Sequence, residues 1–264
     1  MLPELIPELI TIALFAAFVS TLTLFSGFGL GTLLLPAFAL FLPPGAAVAA
    51  TAVVHLANNL FKGSLLRRDV DWRVVARFGL PAIAMAFVGA LLLETLSGLA
   101  PVHDYVFRGE TVTVTPLALL LGGLILLFAF IELADLDRGL RMPPKWLPLG
   151  GALSGFFGGL SGHQGALRAV FLAPLGLTAG AYAATQALIA IGVDVARLLV
   201  YGVADIGSGL DENATPLIAA GILGALAGAL LGRKLLPKIT FAAVRRITGI
   251  LLFITGAGLA SGLI

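Results

Sequence analysis

The chain has no cysteine, three histidines, two tryptophans and only 11% charged residues over 264 positions. Without cysteine there is no disulfide framework, thiolate zinc site or iron–sulfur cluster, and nothing is implied about compartment. Soluble domains carry about 25% charged residues. So low a share excludes an ordinary soluble enzyme, a disordered chain and a nucleic-acid binder. Three scattered histidines without a carboxylate cluster make no metal site. No GxxxxGK phosphate loop is present to take ATP, so neither a metal nor another cofactor is expected. What fills the chain instead is apolar: 59% hydrophobic residues with 33 glycines, and a mean hydropathy of +1.07. Small residues let helix backbones approach closely in lipid. This is the composition of an integral membrane protein.

A helix needs roughly 20 apolar residues to cross the hydrocarbon layer. Ala46–Leu66, Val74–Leu96, Pro116–Leu133, Ala179–Val203, Thr215–Leu231 and Phe241–Leu263 meet that length without interruption. Two further stretches are broken by glycine: Pro7–Leu42 at Ser26–Gly31, and Leu147–Leu175 at Gly158–Gly165. Helices are expected to restart near Thr32 and Ala166. Broken backbone leaves N–H and C=O groups that lipid cannot satisfy, so such tracts belong where protein or water surrounds them. The opening Met1–Glu8 has two acids and no basic residue, which does not read as a secretory signal.

Lys and Arg gather on cytoplasmic loops. If both broken stretches crossed fully, the basic loop Arg67, Arg68, Arg73, Arg77 would face away from Arg233, Lys234, Lys238, Arg245, Arg246. If each instead enters, turns at its glycines and leaves on the same side, both loops join Arg138, Arg141 and Lys145. Twelve basic residues then lie inside and one, Arg108, outside with Asp205, Asp211 and Glu212. Each half becomes a hairpin plus three spans, an odd number, so the halves run in opposite directions. A shift of 135 residues lays Ser26-Gly27 on Ser161-Gly162, and Asn59 and Lys62 on Asp194 and Arg197. The expected fold is therefore an all-α polytopic membrane protein of about eight hydrophobic segments. It comprises two inverted repeats, residues 1–133 and 147–264, each a re-entrant or broken helical hairpin followed by three transmembrane helices. Within Val102–Thr115, the Arg108-Gly109 pair suits the turn of a short external β-hairpin.

The hairpin tips carry the chemistry. A restarting helix presents unpaired N–H groups and partial positive charge, and two such ends meeting at mid-membrane would make an anion site. The candidate substrate-binding residues are Ser26, Gly27, Phe28, Gly29 and Gly31 on the first tip. On the second they are Ser161, Gly162, His163, Gln164, Gly165 and Arg168, whose planar fork suits oxyanions. A second set lines the pathway on the helices that follow. His55, Asn58, Asn59 and Lys62 share one face, and Gln186, Asp194 and Arg197 share another. By this topology Lys62 lies toward the cytoplasm and Arg197 toward the outside. Histidine at either place could couple proton movement to transport.

The tract Gly27-Phe28-Gly29-Leu30-Gly31-Thr32-Leu33-Leu34-Leu35-Pro36, continued by Leu42–Thr51 and paired with Gly158–Gly165, resembles the TauE/SafE family of sulfite exporters. The resemblance spans nearly the whole chain. It implies a bacterial inner-membrane carrier of small sulfur anions such as sulfite, sulfoacetate or thiosulfate, and a homodimer. The expected function is then secondary export of a small sulfur oxyanion, one repeat moving against the other, with both termini outside. An anion channel on the same site is one alternative. An intramembrane serine hydrolase is another, since Gly159-Leu160-Ser161-Gly162 fits a GxSG pattern. That reading lacks a base: His163 is only two residues from Ser161, and Ser26 at the matching position marks a duplicated tip.

Overall fold

A computed structural model of the chain describes residues 2–23, 30–134, 142–203, 214–235 and 241–264. The first half holds α1 (Leu2–Thr23), α2 (Leu30–Ala39), α3 (Pro44–Leu66), α4 (Trp72–Val74), α5 (Leu80–Ser97) and α6 (Pro116–Leu133). A π-helical turn at Val75–Gly79 joins α4 to α5. The second half holds α7 (Leu147–Ser161), α8 (Gly165–Leu172), α9 (Ala179–Val203), α10 (Ala214–Leu235) and α11 (Phe241–Ser261). Between α5 and α6 stands one antiparallel hairpin, β1 (His103–Phe107) and β2 (Glu110–Val114), with Phe107 opposite Glu110. Its two turn residues, Arg108 and Gly109, have φ of 54° and 90°, the left-handed pair that matches strand twist.

Five helices among the described residues are long and apolar enough to cross a membrane: α1, the α4–α5 element Trp72–Ser97, α6, α9 and α10. The protein is an all-α polytopic membrane protein. Its surface is the reverse of a soluble domain's. Ile6, Ile10, Leu14 and Phe18 form an exposed apolar stripe along α1, while Asn58, Arg168, Asp194 and Arg197 are buried. Apolar surface stays in contact with lipid, and polar groups are withdrawn to where other polar groups can meet them.

Glycine sets how the helices pair. A Cβ on Gly151, Gly155 or Gly159 of α7 would lie 2.1, 1.9 or 2.0 Å from the carbonyl oxygens of Phe78, Ala82 and Ala86. Spaced four residues apart on both elements, these contacts make α7 run parallel to α5 at backbone contact. Gly224 and Gly228 of α10 meet the carbonyls of Ala13 and Ala17 of α1 in the same way, at 2.2 Å each. Elsewhere α3 lies against α9, and α6 against α11, where Gly122 meets Ala260 and Gly249 meets Leu133.

The glycine contacts also correct the extent of the second break. The sequence suggests an interruption over Gly158–Gly165, but α7 continues through Ser161 and only Gly162–Gln164 separate it from α8. Gly159 is a helix residue whose missing side chain admits Ala86. The restarts come slightly early as well, at Leu30 and Gly165 rather than Thr32 and Ala166.

The ends of the bundle are distinct. Asp71 N donates to Thr185 Oγ1 near the start of α9, and a Cβ on Gly180 would lie 3.2 Å from Asp69. Since Gly151 sits opposite Phe78, α7 and α9 begin at the same end of the bundle. Arg68, Arg73, Arg77, Lys145 and both tryptophans, exposed Trp72 and Trp146, lie there, at the level where amphipathic rings favour a membrane interface. At the other end Pro44, Phe107, Thr115 and Ile264 surround a cavity of about 550 Å³, and Tyr105 OH donates to the Ser261 carbonyl.

Candidate functional site

Helices α3 and α9 cross at the depth where α2 begins and α7 ends. A Cβ on Gly31, the second residue of α2, would lie 3.4 Å from the carbonyl oxygen of Gly162 and 3.4 Å from Cδ2 of His55. Gly162 ends α7 with φ of 80°, a left-handed conformation that glycine adopts without strain. A Cβ there would lie 3.0 Å from Nη1 of Arg197. Arg197 donates from Nε (3.1 Å) and Nη2 (2.8 Å) to Asp194 Oδ1, and the other carboxylate oxygen accepts from His55 Nδ1 at 2.6 Å. The contacts close into a ring: Gly31, Gly162, Arg197, Asp194, His55 and back to Gly31. One half of the chain supplies Gly31 and His55, the other supplies the rest.

The ion pair is fully buried, with 0% exposure for both side chains, and His55 is the more open member at 14%. Charges held at such depth persist only when paired and hydrogen-bonded. Arg197 Nη1 nevertheless has no hydrogen-bond partner among the described residues. It is a buried cationic donor aimed at the second break. Around it, Asn59 Nδ2 donates to the His55 carbonyl at 2.9 Å and lies 3.2 Å from the imidazole nitrogens.

The remaining sequence candidates sit beside the ring. His163 Nδ1 donates to the carbonyl (3.1 Å) and Oγ (3.0 Å) of Ser161, and its ring stacks on Phe128 at 5.2 Å. Gln164 caps α8 and its carbonyl accepts from Ser154 Oγ at 2.9 Å; Gly165 follows as the first residue of that helix. Arg168 reaches the backbone carbonyl of Gln186 at 2.9 Å and the side-chain oxygen of Gln164. Asn58 is buried with no partner for its amide among the described residues. Lys62, half-buried, lies further along α3 and outside the ring. Ser26, Gly27, Phe28 and Gly29 lie outside the described residues.

Three placements differ from what the spacing suggested. Arg197 stands at the second break, not near the membrane boundary, because Gly162 admits its guanidinium. Ser161 and His163 touch despite their short separation, but the Ser161 hydroxyl donates to the Phe157 carbonyl at 3.1 Å as a helical serine does. Tyr201, Ser154 and Phe128 were not singled out from sequence. Tyr201 OH donates to the Gly159 carbonyl, and its spacing of four and seven residues from Arg197 and Asp194 placed it on their face. Ser154 shares its face with Ser161 by the same rule.

A family model for sulfite exporter TauE/SafE matches residues 10–259. The chain belongs to the TauE/SafE sulfite exporter family. No curated protein and no solved structure matches it. As a TauE/SafE member it is a multi-pass membrane transporter rather than an enzyme, which removes the serine-hydrolase alternative. The ring of contacts in this TauE/SafE chain is where its two glycine-bearing helix ends meet.

Proposed function

We propose that the protein is a secondary exporter of a small sulfur oxyanion, such as sulfite or sulfoacetate, held at mid-membrane between the starts of α2 and α8. The observation that carries this reading is Arg197: a fully buried guanidinium, fixed on one side by Asp194, with Nη1 free and aimed at Gly162. The leading N–H groups of two helices converge there with their partial positive charge. A sulfur oxyanion has three or more oxygens and takes several convergent donors with modest net charge. In this reading Arg197 faces the anion, Gly31 and Gly162 leave room for it, and His163 and Gln164 shape the second tip. Arg168 fixes Gln164 and the α9 backbone.

Two inverted repeats account for the helix pairing. Matching elements α3 and α9 face each other, as do α6 and α11, while α1 with α10 mirrors α7 with α5. Access would alternate about the site between the two membrane faces. The basic end faces the cytoplasm of a bacterial inner membrane, and the hairpin end with both termini faces out.

The test is thermal stabilisation of the purified protein by a panel of sulfite, sulfoacetate, taurine, thiosulfate, sulfate, phosphate, nitrate and acetate. A ligand at 100 times its dissociation constant adds about 2.7 kcal/mol to a protein that binds it only when folded. Stabilisation by sulfur anions, lost in Arg197→Ala, is expected. An equal response to every anion, retained in Arg197→Ala, would sink the assignment of this site.

A further inference from the structure

Charge counting around the ring identifies a second passenger, and this inference rests on the anion site proposed above. A carboxylate only accepts, so the 2.6 Å contact from His55 to Asp194 Oδ2 places a hydrogen on Nδ1. The amide nitrogen of Asn59 lies 3.2 Å from Nε2, donor toward ring nitrogen, which leaves Nε2 as an acceptor. His55 is therefore neutral in this arrangement, and the ring holds one negative charge on Asp194 and one positive charge on Arg197. Its sum is zero. A monoanion arriving at Arg197 Nη1 would leave the buried cluster with net negative charge, which a low-dielectric interior disfavours strongly. One proton on His55 Nε2 restores neutrality.

We propose that His55 is a proton-binding site and that each anion crosses together with about one proton, the capacity of a single imidazole. The empty and the fully loaded rings are both neutral, whereas a ring holding only the anion or only the proton is charged. That difference is the coupling. His55 suits the part because its side chain is 14% exposed where those of Asp194 and Arg197 are 0%, so water can reach it. Loading it requires Asn59 to turn its amide and present oxygen to the new N–H.

Other charged and titratable groups nearby do not replace it. On α3 itself, Lys62 lies outside the ring. Helix α2 has no titratable residue. On α9, Asp194 and Arg197 are committed to each other, and Tyr201 donates to the Gly159 carbonyl. From the second break, His163 is held by Ser161 and Phe128, and Arg168 by Gln164 and Gln186. Glu94 on α5 is exposed, and Glu132 lies on α6, one turn beyond Phe128.

The test uses the full chain in phospholipid vesicles containing a trapped pH-sensitive dye, with methanesulfonate as the anion. Methanesulfonate carries no titratable proton, so any proton that moves with it is carried by the protein. An inward methanesulfonate gradient is expected to acidify the lumen, with about one proton for each anion and no response of the flux to an imposed voltage. In His55→Gln, with folding verified by its thermal unfolding midpoint, flux is expected to fall. The proton-to-anion ratio drops toward zero, and the residual flux becomes voltage-dependent. Anion flux without protons in the unmodified protein would overturn the coupling and leave the anion site standing, as would an unchanged ratio in His55→Gln. No methanesulfonate flux and no stabilisation by any sulfur anion would overturn the anion site and the coupling together.

Discussion

Arg168 and Arg197 occupy the same half of the chain and are buried alike, yet their guanidiniums do opposite things. Arg168 is occupied by neutral oxygens, the Gln186 carbonyl and the Gln164 amide, and thereby ties the short helix α8 to α9. Arg197 is occupied on one edge by a charge, Asp194, and keeps Nη1 free at the glycine break. Burial alone therefore does not mark a binding residue. The unfilled donor does, because a buried hydrogen-bonding group without a partner is unfavourable until something fills it.

The strongest way to break this contrast is Asp194→Asn, which leaves Arg197 buried without its counter-charge. Removing one member of a buried pair costs about 3–5 kcal/mol, so a large drop in the thermal unfolding midpoint is expected; a midpoint equal to the parent's would show that the pair contributes little. Arg197→Ala should weaken sulfur-anion binding by about 10- to 100-fold, the range for losing a hydrogen bond to a charged group, as read by titration. Arg168→Gln should instead leave anion affinity within about threefold and lower stability by roughly 1–3 kcal/mol, because the buried Gln186 carbonyl loses its donor. If the affinity loss followed Arg168 and not Arg197, the anion would belong beside Arg168, as the sequence alone suggests. The smallest effect is expected from Gly162→Ala: about 1 kcal/mol of backbone strain, with reduced anion affinity from a methyl group set against Nη1. Unaltered binding in that variant would separate the break from the site.

Much of this architecture is legible in the sequence because lipid constrains it so tightly. Apolar length alone marks the spans, and Arg108-Gly109 marks the only turn whose chemistry is local. The polar faces of α3 and α9 follow from helical spacing. What sequence conceals is which glycines bend the chain and which bring two helices together. Gly159 and Gly162 look alike in one tract, but Gly159 is read by Ala86 on a distant helix and Gly162 by its own φ. Similarly, Arg197 and Asp194 announce an ion pair three residues apart. Nothing local tells that His55, 139 residues earlier, takes the second carboxylate oxygen.

The glycine contacts of α7 also decide which parts can travel together. Sliding α7 by one residue along α5 would press Ala152, Phe156 and Leu160 into carbonyls that now meet only hydrogen atoms. The same holds for α10 on α1. These two pairs each join a helix from one half to a helix from the other, so the halves are interlaced like the fingers of two hands. A motion that alternates access cannot divide the molecule along its duplication. It has to carry α7 with α5 and α1 with α10, and the seam left to part is the crossing of α3 and α9, latched by His55 and Asp194.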